Sequence, residues 1–233
     1  MKKYKVGFIG YGNMAKAIVS ALIKKEKLNE KEFDVIVFDV DDAKLAKAKE
    51  KSIAVANDNA DLISKSDFVV IAVKPQMANI ALNGCDFSEK VVISIMAGMS
   101  INAIEKITNH TASKIVRVMP NLNAKNFASC TSYCTKGLDA EEELVVKSIL
   151  ESFGTVTEVK EEQMDAVTGL CGSGPAFVYK FINAFMQSAK NYGFPQKDAL
   201  IMSLQTILGS VQNVMLSANG DETESSHIDV RIR

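Results

Sequence analysis

The stretch best equipped for chemistry runs from residue 5 to 15, Lys-Val-Gly-Phe-Ile-Gly-Tyr-Gly-Asn-Met-Ala. Residues 6–9 form a short apolar run that reads as a buried strand, and Gly10 and Gly12 interrupt it. A helical spacing then takes over, with Met14, Ala17, Ile18, Ala21 and Leu22 on one stripe. Strand, glycine turn and helix in that order are what allow a glycine spacing to be read as a dinucleotide site. Gly10 permits the tight turn, and Gly12 lacks the Cβ that would hold a pyrophosphate away from the backbone. Ala15 is small enough for the helix to lie close to the strand, and the unpaired N–H groups at the helix start face the phosphates. A plain strand–turn–helix connection would use the same residues, so the rest of the chain has to decide between the two.

A second apolar strand is expected over 34–40, carrying Asp39 near its end. An acidic group there can accept hydrogen bonds from an adenosine ribose and repels a 2′-phosphate; Asp41 and Asp42 add to the field, and no arginine is near. These charges lean toward NADH over NADPH, although Asp41 or Asp42 could simply cap the helix expected over 43–51. Lys74 follows the apolar run 68–73, where the chain leaves the carboxyl edge of a sheet. Ligands bind at that edge in open α/β folds.

Other chemistries are poorly supplied. Two histidines, His110 and His227, give an acid–base mechanism little to work with. Cys85, Cys130, Cys134 and Cys171 lack metal-ligand spacing and are expected as buried free thiols of a reducing cytoplasm, so no metal is anticipated. A net charge of −1 gives no reason to expect nucleic acid or an anionic membrane as partner. No unbroken apolar run reaches the ~18 residues of a membrane span.

The elements that must position these residues alternate. Further strands are expected over 53–56, 91–95, 115–119, 129–135 and 156–159, with helical patterns between them. The run 68–73 is apolar throughout, as for a strand covered on both faces. Asp139 with Glu142 three residues on is a capping-box pattern opening a helix. The fold class is therefore α/β, a doubly wound, mostly parallel Rossmann sheet over 1–160, followed by an all-α domain over 161–233. Two long helices there carry wide apolar faces, Phe177, Phe181 and Phe185 on one, Leu204, Leu208 and Val211 on the other. Such faces call for a second subunit or for more chain. The polar run 219–226 reads as a frayed tail.

With these residues laid out, the chain resembles pyrroline-5-carboxylate reductases, which carry out the last step of proline synthesis. Beyond the first motif, the likeness rests on Ala-Val-Lys-Pro at 72–75, Ser-Ile-Met-Ala-Gly at 94–98 and Arg-Val-Met-Pro-Asn at 117–121. It rests most of all on Asp-Ala-Val-Thr-Gly-Leu-Cys-Gly-Ser-Gly-Pro-Ala at 165–176. The resemblance implies hydride transfer from NADPH or NADH to the imine carbon of 1-pyrroline-5-carboxylate, in a cytoplasmic homodimer or higher homo-oligomer. It implies cofactor contacts from Gly10, Tyr11, Gly12, Asn13, Met14, Asp39, Asn59, Val73, Lys74, Pro75, Ala97 and Gly98. Substrate contacts are implied for Glu161, Thr168, Gly172, Ser173 and Gly174, where helix-start N–H groups can take a carboxylate. Leu122-Asn123 stand where the family usually has Thr-Pro, so the turn is expected to differ. The chain also ends before the family's Ser-Pro-Gly-Gly-Thr-Thr loop, and its helical domain is expected to be incomplete relative to the family. No catalytic side chain is nominated. Reduction of another small imine or a keto or hydroxy acid, or cofactor binding without turnover, stay open as alternatives.

Overall fold

A computed structural model describes residues 3–26 and 33–218. The polar run 219–226, expected as a frayed tail, lies outside the described residues. Eight strands join in one sheet: β1 Tyr4–Ile9, β2 Phe33–Phe38, β3 Ala54–Val55, β4 Phe68–Ile71, β5 Val91–Ser94, β6 Lys114–Met119, β7 Ser129–Lys136 and β8 Gly154–Glu158. Their order is β3-β2-β1-β4-β5-β6-β7-β8. All neighbours pair in parallel except β6 and β7, which run antiparallel. The order reverses between β1 and β4, so a crevice opens at their carboxyl ends, the usual ligand position in such sheets.

Alternation along the strands sends side chains into two cores. Val6, Phe8, Phe68, Val70, Ile93 and Val116 join one, together with Ile18 and Leu22 of α1 (Asn13–Glu26). Ile9, Val69, Ile71, Val92 and Ile115 join the other. That side is covered by α3 (Asn59–Ser64), α4 (Pro75–Ala81) and α5 (Ile101–Ile107), through Leu62, Ala78 and Ile104. Both faces are thus covered, which is why the central strands read as unbroken apolar runs. Between β2 and β3 lies α2 (Asp42–Glu50), capped by the Asp41 carboxylate. The helix α6 (Ala140–Glu151) opens with the expected capping box, Asp139 accepting from the Glu142 N–H and Glu142 from the Asp139 N–H.

The sheet belongs to a compact unit, Met1–Pro175, and a second unit spans Ala176–Arg233. The segment after β8 stays with the sheet because Met164 of α7 (Met164–Val167) is buried in the second core. A π turn, Thr168–Gly172, then leads into α8 (Gly174–Asn191), and α9 (Gln196–Ala218) follows. Within α9, Gln196–Leu216 is long and apolar enough to cross a membrane by length and composition, with mean hydropathy 1.4 and 11% of it buried. This helix still contains no unbroken apolar run of span length, in keeping with the sequence reading. Its polar positions are mostly uncharged (Ser203, Gln205, Thr206, Asn213), so they break the apolar run without lowering the mean far.

Candidate active site

A cleft of about 290 Å³ lies at the carboxyl ends of β1, β2 and β4. Gly10, Gly12, Asp39, Asn59, Val73 and Lys74 line it, as do Lys44, Met77 and Ile80, which the sequence did not single out. Gly10 sits at φ +93, and a Cβ there would come within 2.9 Å of the Ala72 carbonyl oxygen. Glycine is required for both reasons. At Gly12 a Cβ would meet nothing within 4 Å, so that side of the backbone faces open space. The first N–H groups of α1 have no partner within the helix, and a phosphate beside Gly12 would supply one.

Asp39 braces this turn. Its carboxylate is buried and accepts from the Tyr11 N–H at 2.8 Å, the Asp41 N–H at 3.0 Å and the Lys44 ammonium at 2.9 Å. Burial alone would raise its pKa, but the Tyr11 N–H, the Lys44 ammonium and the Asp41 N–H together outweigh it, and the pKa falls below the ordinary aspartate value. The charge expected to repel a 2′-phosphate is therefore partly cancelled by Lys44. Spacing did not reveal this, because a lysine five residues on reads as an ordinary exposed helix position.

Asn59, at the start of α3, donates from Nδ2 to the Ala81 carbonyl at 2.6 Å. Its Oδ1 is buried and has no hydrogen-bond partner among the described residues. A buried acceptor left unpaired costs about 1–3 kcal/mol, and a hydroxyl or amino group of a nucleotide in the cleft would relieve it. The open side of Gly12 and this orphaned oxygen both fit a bound dinucleotide.

Other residues implied as cofactor contacts sit differently. The Tyr11 ring is buried in the first core, and its N–H belongs to Asp39. Asn13 is exposed at the start of α1, and Met14 packs on the first core. Pro75 occupies the first turn of α4. Ala97 and Gly98 are exposed in the turn after β5, with Gly98 at φ +73.

The glycine turn is fastened to the same edge of the sheet. Beyond β6, Asn121 is buried and donates from Nδ2 to the Cys171 carbonyl at 3.0 Å. A Cβ on Gly172 would come within 2.9 Å of the Met119 methyl, so the turn lies directly on the end of β6. Asn121 also caps a 3₁₀ turn, Leu122–Asn126, where the departure from Thr-Pro was noted. The Ser173 N–H closes the π turn on the Thr168 carbonyl at 2.9 Å. The first N–H groups of α8 follow directly, and a helix start leaves such groups without an intrahelical partner. Thr168 Oγ1 donates to the Met164 carbonyl at 2.9 Å and is occupied by its own helix.

Glu161 is engaged rather than free. Its Oε1 accepts from the Ile101 N–H at 2.6 Å and from Arg117 Nη1 at 3.3 Å. Arg117, on β6 and only 6% exposed, also reaches Asp165 Oδ1 at 3.1 Å. These contacts define a clamp between the sheet and the segment leading into the glycine turn.

The cysteines do not follow the expectation of four buried thiols. Cys85 and Cys134 are buried, whereas Cys130 is exposed and Cys171 half-buried. The physical reason is position: Cys130 points outward from β7, and Cys171 lies in the π turn.

A mostly parallel sheet with a glycine-lined crevice at its switch point is a dinucleotide-binding arrangement, and comparison with known proteins gives the class, a nicotinamide-nucleotide oxidoreductase. Residues 5–98 match the family model "NADP oxidoreductase coenzyme F420-dependent", and residues 161–230 match "Pyrroline-5-carboxylate reductase dimerisation". The pyrroline-5-carboxylate reductase of Aquifex aeolicus is 39% identical over 209 residues, covering 89% of this chain and 77% of that protein. Among solved structures, the reductase of Streptococcus pyogenes superposes with TM-score 0.83 at 29% identity, covering 91% of this chain and 80% of that one. The Plasmodium falciparum pyrroline carboxylate reductase with NADP bound superposes with TM-score 0.80 at 29% identity, covering 91% and 79%. This chain belongs to the pyrroline-5-carboxylate reductase family.

Proposed function

We propose that this chain reduces 1-pyrroline-5-carboxylate to L-proline with a reduced nicotinamide nucleotide. One observation carries the reading: the nucleotide cleft and the glycine turn stand on the same carboxyl edge, the first on β1, β2 and β4, the second on β6. The turn after β5, Ala97-Gly98, falls between them in strand order. Asp39 marks the adenosine end, and the glycine turn takes the carboxylate of the cyclic imine. When bound, the reduced nicotinamide supplies the hydride for the imine carbon.

The chain's own contribution is placement. Helix-start N–H groups of α8 and the Ser173 hydroxyl hold the anionic end of the substrate. Asn121, Met119 and the Arg117–Glu161 clamp fix that turn against the sheet, so the ring presents its carbon in one orientation. A protonated imine is already electrophilic, which suits a site without histidine.

The finer reading concerns the nucleotide. Asp39 and Asp41 face one cation, Lys44, whose Nζ is 2.9 Å from the first and 3.9 Å from the second. The balance stays negative, so NADH is preferred, but by less than about ten-fold since the remaining charges are partly exposed and screened. Homodimerisation through 161–233, a division of labour at about residue 160 and a cytoplasmic location belong to the same proposal. The test is initial-rate oxidation of NADH and of NADPH with pyrroline carboxylate. Turnover with both, faster at low concentration with NADH, is expected; nucleotide binding without turnover would leave only a cofactor-binding protein.

A further inference from the structure

We propose that Cys130 and Cys171 form a reversible disulfide that stiffens the glycine turn and weakens its hold on the substrate carboxylate. The effect on substrate rests on the function proposed above; the bond itself does not.

The two thiols are 41 residues apart in sequence, and Cys130 Sγ donates to Cys171 Sγ at 3.5 Å. A disulfide needs about 2.05 Å, so the sulfurs have about 1.5 Å to close. Cys130 stands on β7 with its thiol exposed, where an oxidant can reach it. Cys171 lies inside the π turn, one residue before Gly172, with its carbonyl held by Asn121. The neighbours are unsuited to compete: Cys85 and Cys134 are buried, and burial pushes both thiols up. Burial and the nearby Cys130 raise the Cys171 thiol as well. Cys171 is therefore best cast as the resolving partner, and Cys130 as the thiol that reacts first with the oxidant.

The oxidant is a low-molecular-weight disulfide. The Cys130 thiolate attacks one of its sulfurs, forming a mixed disulfide and releasing one small thiol. The Cys171 thiolate then attacks the Cys130 sulfur, forming the Cys130–Cys171 bond and releasing the second. Two protein thiols are oxidised, two electrons pass to the small disulfide, and two protons are lost from the protein and taken up by the leaving thiolates. Excess small thiol reverses both steps. In a reducing compartment such a bond would be transient, as expected of a redox-responsive pair.

The consequence follows from where the bond falls. The π turn ends on a backbone hydrogen bond, Ser173 N–H to the Thr168 carbonyl, and leads into the N–H groups proposed to bind carboxylate. Tying Cys171 to the rigid strand β7 shifts and fixes that turn, and a misplacement of ~1 Å at a binding group can lower efficiency strongly. The nucleotide cleft at β1, β2 and β4 is untouched.

The experiment treats the full chain with oxidised glutathione, blocks remaining thiols and maps the peptides. A Cys130–Cys171 linked peptide is expected, with slower amide exchange over 168–174. The Michaelis constant for pyrroline carboxylate should rise roughly ten-fold, that for the nucleotide should stay unchanged, and dithiothreitol should reverse both effects. Cys130→Ser, exposed and outside the binding residues, should keep basal activity and lose the response; Cys130→Ala serves if the serine variant folds poorly. Persistent mixed glutathione adducts without the link would overturn the proposal. So would a link with unchanged exchange or unchanged substrate constant, or a response retained by Cys130→Ser. Should the reduced protein show no turnover, the function reading fails, while the peptide map and the exchange data still decide the bond.

Discussion

Gly10 and Gly12 look alike in sequence, yet the structure separates their duties. Gly10→Ala places a Cβ against the Ala72 carbonyl at positive φ, so the fold itself suffers. A loss of about 1–2 kcal/mol is expected, read as a lowered Tm without nucleotide. Gly12→Ala meets open space, so Tm without nucleotide should hold while the Michaelis constant for NADH rises at least about ten-fold. Equal effects of the two substitutions on Tm would refute this division. Asp39 adds a pH signature. Its pKa is lower folded than unfolded, so its contribution is fully present above the ordinary aspartate range, near ~3.9, and is lost as pH falls through the folded value. Asp39→Asn should therefore cost about 1–2 kcal/mol near neutral pH, and the Tm gap to wild type should close as pH drops below ~4. A gap that stays constant on acidification would mean the carboxylate is not what braces the turn. Lys44→Ala, by leaving the acidic cluster unopposed, should raise the Michaelis constant for NADPH relative to that for NADH in paired kinetics. The sequence showed Asp39 but not this pairing: a carboxylate at a strand end is a local signal, whereas its contacts depend on how the Tyr11 turn meets the start of α2.

Whole elements were legible where their signals are local. The eight strands came from apolar runs with turn residues between them, and α6 came from Asp139 and Glu142. Three features were not legible, because no local pattern of residue types carries them. The antiparallel β7 is one, since a strand carries no mark of its direction. The π turn at 168–172 is another, because helix spacing through Gly169 and Gly172 does not distinguish four residues per bond from five. The third is the clamp joining Arg117 to Glu161 and Asp165, which spans 44 and 48 residues. The Asp165 carboxylate is largely in water, so that arm adds little stability, and the Arg117 side chain bears the cost of burial. Arg117→Met should thus change stability by no more than about 1 kcal/mol, yet free the segment that carries the glycine turn. Its expected mark is a Michaelis constant for pyrroline carboxylate raised about five-fold, with the nucleotide constant unchanged and faster amide exchange over 161–172. A large drop in Tm with unaltered substrate kinetics would make the clamp a stability feature only.

At the scale of the molecule, the second unit offers apolar surface that a single chain leaves in water. Phe177 is 66% exposed, Leu208 52% and Met215 61%, and further exposed apolar residues run along both α8 and α9. Contiguous apolar area of this kind marks an association surface. Two associations fit the composition: a membrane, which the length of α9 would permit, and a second copy of the chain, which the dimerisation family matched over 161–230 favours. The polar residues of α9 decide between them. Ser203, Gln205, Thr206, Ser210, Gln212 and Asn213 recur along its length, as suits a face packed in protein with the rest in water, and a lipid-facing helix gains nothing from them. Light scattering behind size exclusion should therefore give at least twice the chain mass without detergent. Leu208→Glu sets a charge within the exposed apolar stripe; once paired across an interface it would be buried without a partner and cost several kcal/mol. The variant should shift to the monomer mass and lose turnover, while nucleotide binding at the intact sheet unit persists. A Leu208→Glu protein that stays dimeric would place the contact elsewhere on the unit, and wild-type protein that needs detergent to stay dispersed would turn the choice toward lipid.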